Sequence, residues 1–174
     1  VLPSGLTSTV AGIDALGRET DTAWAPQSVT VRLTDDLDIS RGDLIAAGRP
    51  PAPTKDVEAT VSHLNERPLR AGDKVLLKHT TRTVRALVKD ISYRIDIDTL
   101  EQRPGHDGLN VNDIGHVLLR TAEPLALDAY SDNRRTGSFL LIDPADGTTL
   151  TAGMAGEAFT TAHTTDAPDE EDWV

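Results

Sequence analysis

The chain of 174 residues has room for one ordinary domain or two small ones, and with 38% hydrophobic but only 3% aromatic residues its core must be built from Val, Leu, Ile and Ala. A formal charge of −11 and a pI near 4.7 repel polyanions, which argues against nucleic acid as a partner. The absence of cysteine excludes disulfide scaffolds, thiolate metal sites and cysteine nucleophiles and is consistent with a cytoplasmic protein, while no run approaches the ~20 apolar residues of a membrane span.

Val1 is not a methionine and the chain opens directly into strand-like text, so it is expected to begin inside a longer polypeptide. Residues 7–13, 28–33 and 43–47 are β-branched or alternating and predict strands. Asp14-Ala15-Leu16-Gly17 matches the Asp-x-x-Gly pattern with which GTPases position magnesium. No glycine-rich turn ending in Gly-Lys-Ser/Thr accompanies it, and the plainer reading is a hairpin turn in which Gly17 takes a positive φ. Arg41-Gly42-Asp43 spells a tripeptide known from cell adhesion, but residues 39–45 read as a strand end, a tight glycine turn and a new strand.

Gly48-Arg49-Pro50-Pro51-Ala52-Pro53 is the strongest boundary, because its three prolines lack backbone donors and stiffen the chain. It divides a first module, residues 1–48, from a second, residues 54–154, with 49–53 as linker. Strands are predicted in the second module at 57–64, 74–80, 84–97, 115–122 and 137–142, each bounded by turn residues, as in barrels and sandwiches. Sustained helical periodicity is absent; 40–43 and 111–114 admit at most a helical turn, and Asn112-Asp113-Ile114-Gly115 reads equally as a turn before a strand. Residues 155–174 form an acidic tail with Asp166, Asp169, Glu170, Glu171 and Asp172, expected to be disordered, with Trp173 beside the terminus as a large apolar group able to dock on another surface.

The chemistry-bearing patterns are mostly missing. His63, His79, His106, His116 and His163 lack zinc-helix spacing, and no Gly-x-Ser-x-Gly elbow supports a hydrolase triad. No catalytic, cofactor-binding or metal-binding residue is therefore expected. Two basic runs stand out in the acidic chain. In the first, residues 76–86, a continuous strand puts Lys78 and Arg82 on one face with His79 and Arg85 on the other. It reads either as a solvated strand paired to acids or as a docking surface for an acidic partner element or a nucleotide phosphate. The second, residues 131–139, carries Asn133, Arg134 and Arg135, and reads either as a hairpin loop or as a module or subunit interface.

Taken in order, Val1-Leu2-Pro3-Ser4-Gly5, residues 36–43, Leu77-Lys78-His79-Thr80-Thr81-Arg82-Thr83-Val84-Arg85-Ala86, Asn112-Asp113-Ile114-Gly115 and residues 132–143 resemble the large subunit of bacterial sulfate adenylyltransferase. The resemblance runs from Val1 to about Gly153, and the His-Thr-Thr-Arg run together with Asn-Arg-x-Thr-Gly-Ser-Phe is its specific part. That family is similar to elongation factor Tu, a GTPase domain followed by two antiparallel β-barrels. The resemblance implies an all-β chain of two small barrels of the domain 2 and domain 3 type, the first incomplete, with its GTP-binding domain and bound GTP and magnesium lying before Val1. It further implies a cytoplasmic heterodimer in which a separate small catalytic subunit makes adenosine 5′-phosphosulfate and pyrophosphate from ATP and sulfate, driven by GTP hydrolysis. The barrels would then hold that subunit and relay the state of their own GTPase domain, with Lys78, His79, Arg82, Arg85, Asn133, Arg134 and Arg135 as contact residues. The ending Asp-Glu-Glu-Asp-Trp-Val is expected of a form without a fused kinase. A translation-factor barrel pair gripping transfer RNA is the alternative, disfavoured by the acidic balance.

Overall fold

The computed structural model of the chain describes residues 1–104 and 108–156; of the tail expected at 155–174, Ala155 belongs to the last strand, while residues 157–174 with Trp173 and His163, and likewise His106, lie outside the described residues. Among the described residues the strands are β1 Val10–Ala15, β2 Arg18–Thr20, β3 Thr30–Leu33, β4 Thr54–His63, β5 Lys74–His79, β6 Arg82–Ile95, β7 Gln102–Pro104, β8 Ile114–Leu125, β9 Ser138–Ile142 and β10 Thr149–Ala155. Among the described residues there is no helix, and hence none long and apolar enough to cross a membrane.

The strands divide into two sheets. β2, β1 and β3 form an open antiparallel sheet, and every residue from 1 to 50 keeps some exposure. In the second sheet the order β5-β9-β10-β4-β8-β6 closes through a β5–β6 pairing into a six-stranded barrel, with β7 added at the far end of β6. Alternation explains the core. Val57, Ala59 and Val61 of β4, Val75 and Leu77 of β5, Val84, Ala86 and Val88 of β6, and Val117 and Leu119 of β8 all point inward and are buried. Aliphatic side chains and Phe139 make up the hydrophobic core, as the composition demands. β6 spans 14 residues yet follows the curve of the barrel because register shifts against β8 fall at Val88/Asp90 and Ile91/Tyr93.

The β1–β2 connection is the hairpin turn expected there, with Leu16 at φ 52° and Gly17 at φ 75°. The strand expected at 43–47 is not formed. Leu44 makes only an isolated bridge to Leu2, and the chain then meets Gly48 at φ 75° and the prolines, which have no N–H for a ladder. β2, β7 and β10 carry too little strand signal to be read in advance. In β10 the reason is Gly153, where a Cβ would overlap the Phe139 ring on the paired strand, so packing demands a weak strand former.

One turn occurs three times. In Ser40-Arg41-Gly42-Asp43, Arg70-Ala71-Gly72-Asp73 and Asn110-Val111-Asn112-Asp113 the aspartate N–H donates to the first residue's carbonyl at 3.1, 3.2 and 3.0 Å. The aspartate Oδ2 in turn accepts from the first residue's N–H at 2.9, 2.9 and 2.7 Å. The third residue has φ of 99°, 92° and 70°, which accounts for Gly and Asn there. The adhesion-like tripeptide is thus a structural turn whose carboxylate is already engaged.

Candidate functional site

β5 alternates strictly: Val75, Leu77 and His79 are buried while Lys74 and Lys78 face solvent. A two-residue turn, Thr80 and Thr81, returns the chain into β6, with Thr80 at φ 49°. Buried His79 donates from Nε2 to the carbonyl of Thr136, at 2.8 Å. Burial pushes the His79 pKa down from its ordinary 6.5, against the opposing pull of that hydrogen bond and of Asp128.

The Thr136 bond matters because it fastens the second basic run to the first. Asp128 and Thr136 are joined by a side-chain hydrogen bond and by a backbone bond from Asp128 N–H to the Thr136 carbonyl at 3.3 Å. Within the loop they close, Asn133 N–H donates to the Ala129 carbonyl at 3.0 Å and Gly137 N–H to the Asn133 carbonyl at 2.8 Å. The Asn133 side chain accepts from the Arg135 N–H at 3.1 Å, so Asn133 shapes the loop from within. Gly137 has no room for a side chain: a Cβ there would lie 2.5 Å from Tyr130 Cα.

This arrangement brings Lys78 and Arg135 to one groove of about 490 Å³. Leu140, Ala152 and Met154 give it an apolar floor, Ser62, Thr80 and Ser138 add hydroxyls, and Tyr130 stands at the loop side. Two cations over such a floor suit a protein element that carries both a carboxylate and an apolar side chain. Tyr130 and Met154 lie outside the two basic runs, and the floor strand β10 carries little strand signal of its own.

The other expected contact residues are placed elsewhere. Arg134 is exposed on the loop. Arg82 is mostly buried at the junction of the two sheets, with Nη1 3.0 Å from Asp43 Oδ1 and Nη2 2.7 Å from Glu123 Oε2. Gly42 packs so closely there that a Cβ would lie 3.0 Å from Arg82 Cβ. Arg85 lies on the outward face of β6, beside a different groove. Among the described residues, no group of three or more His, Asp or Glu side chains is arranged to hold a metal ion.

The GTP-eEF1A C-terminal domain-like family matches residues 56–155. The bifunctional enzyme CysN/CysC of Mycobacterium tuberculosis (strain ATCC 25618 / H37Rv) is 44% identical over 156 residues, covering 88% of this chain and 25% of that protein. Sulfate adenylyltransferase subunit 1 of Sodalis glossinidius is 42% identical over 155 residues, covering 88% of this chain and 32% of its own length. The chain therefore spans about a quarter to a third of these relatives. Among solved structures, Sup35 complexed with GDP superposes with a TM-score of 0.75 at 18% identity, covering 91% of this chain and 40% of that one, which is a likeness of fold.

Proposed function

Because the chain belongs to the GTP-eEF1A C-terminal domain-like family and is homologous to the C-terminal region of sulfate adenylyltransferase subunit 1, we propose that it is the docking and coupling region of a GTP-dependent sulfate adenylyltransferase. In this reading a small catalytic subunit joins ATP and sulfate into adenosine 5′-phosphosulfate with release of pyrophosphate, in the cytoplasm. GTP and magnesium belong to a nucleotide-binding domain elsewhere in the whole protein. This chain contributes neither nucleotide site nor catalytic residue, and its task is to hold the catalytic subunit and pass on the state of the GTPase domain. Such coupling requires an element with two arrangements that both partners bias.

The observation that carries the reading is the His79–Thr136 joint. Two basic runs about 50 residues apart in sequence are locked together so that Lys78 and Arg135 frame one amphipathic groove. A hydrogen bond between an internal histidine and a loop carbonyl fixes the loop without occupying either cation, which leaves both for a partner. The reading is tested by titrating the chain against the small catalytic subunit with a surface-immobilised binding measurement. Lys78→Glu and Arg135→Glu are each expected to weaken binding about tenfold, roughly 1.4 kcal/mol. Undiminished binding by both variants removes the groove as the contact, and failure of the wild-type chain to bind removes the docking role.

A further inference from the structure

A second groove opens on the outward face of β5, β6 and β8. Lys74 lies opposite Leu87 and Leu76 opposite Arg85 across the β5–β6 ladder, and Leu87 also faces Arg120 of β8. Alternation sends Val75 and Ala86 into the core and leaves Lys74, Leu76, Arg85, Leu87 and Arg120 on the outside. The resulting depression, about 600 Å³, has Leu76, Leu87, Ala122 and Pro144 as its floor and Lys74, Arg85 and Arg120 at its rim. Leu87 is 38% exposed although it sits in the middle of a well-paired strand.

Charge narrows the identity of what belongs there. Of the three rim cations only Arg120 has an ion-pair partner among the described residues, Asp56 at 2.5 Å. Lys74 and Arg85 have none there, in a chain whose net charge is −11. A local positive rim in an acidic molecule survives because salt screens distant charges beyond roughly 8–10 Å. The strands beneath close off one mode of recognition. β5 pairs with β6 and β9, β6 with β5 and β8, and β8 with β4 and β6, so no free row of N–H and C=O groups is offered for strand addition. The occupant must be read through its side chains. The floor also lacks the aromatic platforms on which single-stranded nucleic acid stacks.

We propose that this face is a second docking surface, which takes an acidic amphipathic helix of a partner protein. Leucine-class side chains of such a helix cover Leu76, Leu87 and Ala122, and its flanking carboxylates meet Lys74, Arg85 and Arg120. It is separate from the Lys78–Arg135 groove and stands whether or not that groove holds the catalytic subunit.

The test is fluorescence anisotropy with the whole chain and a labelled synthetic peptide of about 18 residues, long enough to be helical when bound. The peptide carries Leu at i, i+3 and i+4 spacing and Glu on its remaining face. Arg85→Glu and Leu87→Gln, both at exposed positions, are each expected to weaken binding about tenfold, while Lys78→Glu leaves it unchanged. Circular dichroism of each variant confirms the fold. No binding by wild type, equal binding of a scrambled peptide of the same composition, or equal binding by Arg85→Glu overturns the proposal. So does a loss with Arg85→Glu but not with Leu87→Gln, which marks a general polyanion patch. Loss with Lys78→Glu places the peptide in the first groove and also overturns it.

Discussion

His79 was singled out in the sequence as a possible contact and turns out to be an internal fastener, hydrogen-bonded to the Thr136 carbonyl. Its depressed pKa has a definite sign. The folded state resists the proton while the unfolded chain accepts it below about 6.5, so stability is fully present above that value and declines as pH falls toward the folded pKa. The midpoint of urea denaturation is therefore expected to be lower at pH 5.5 than at pH 7.5. In His79→Gln, whose amide can still donate but cannot titrate, the drop is expected to be smaller. Asp35, Asp56, Asp96 and Asp146 have lowered pKa values from an ordinary 3.8, so their contributions fade only at more acid pH and leave this window clear. An equal drop in wild type and variant would contradict the assignment. Lys78 and Arg135 stand out in the sequence because positive charge is sparse in an acidic, β-branched chain. His79 and Arg85, which a continuous strand would put on one face, fall on opposite faces because the Thr80–Thr81 turn divides the run, so that His79 points inward and Arg85 outward.

At the level of elements, glycine marks the tightest places. Gly137 lies against the Tyr130 backbone and the Asn133 carbonyl, at 2.5 and 2.9 Å from where a Cβ would be, and neither neighbour is a flexible side-chain end. Gly137→Ala is expected to cost about 1–3 kcal/mol and to lower the thermal midpoint, because the loop must shift to admit one methyl group. A thermal midpoint equal to wild type would show that the loop gives way freely. The same logic explains which strands could be read. β4, β5, β6, β8 and β9 announce themselves through Val, Leu and Ile on alternate positions. β10 hides because Gly153 makes way for the Phe139 ring, a demand set by the neighbouring strand. The turn Asp43, Asp73 and Asp113 share is marked by Gly-Asp or Asn-Asp, yet its recurrence at unequal spacing, 30 and then 40 residues, is no periodic repeat.

For the whole molecule the contrast lies between a closed barrel and an open sheet. Residues 57–155 bury a continuous aliphatic cluster, whereas residues 1–50 contain no buried side chain and expose Leu16 completely and Trp24 by 66%. Amide hydrogen exchange of the 174-residue chain is expected to be slow in β4, β6 and β8 and at least roughly a hundredfold faster in β1, β2 and β3, since local opening there loses little apolar burial. Comparable protection of both sheets would contradict this. The all-β class follows from hydrophobic alternation, which leaves barrel and sandwich equally open; the barrel and the incompleteness of the first module follow from the family resemblance, because an alternating strand looks the same whether or not a second layer covers it.

The guanidinium of Arg82 reaches Asp43 in the first half and Glu123 in the second, and it is the one ion pair among the described residues that ties the halves together. That anchor sits at the start of β6, beside the Thr80–Thr81 corner, so the residue that bridges the halves and the lysine that frames the groove belong to one hairpin.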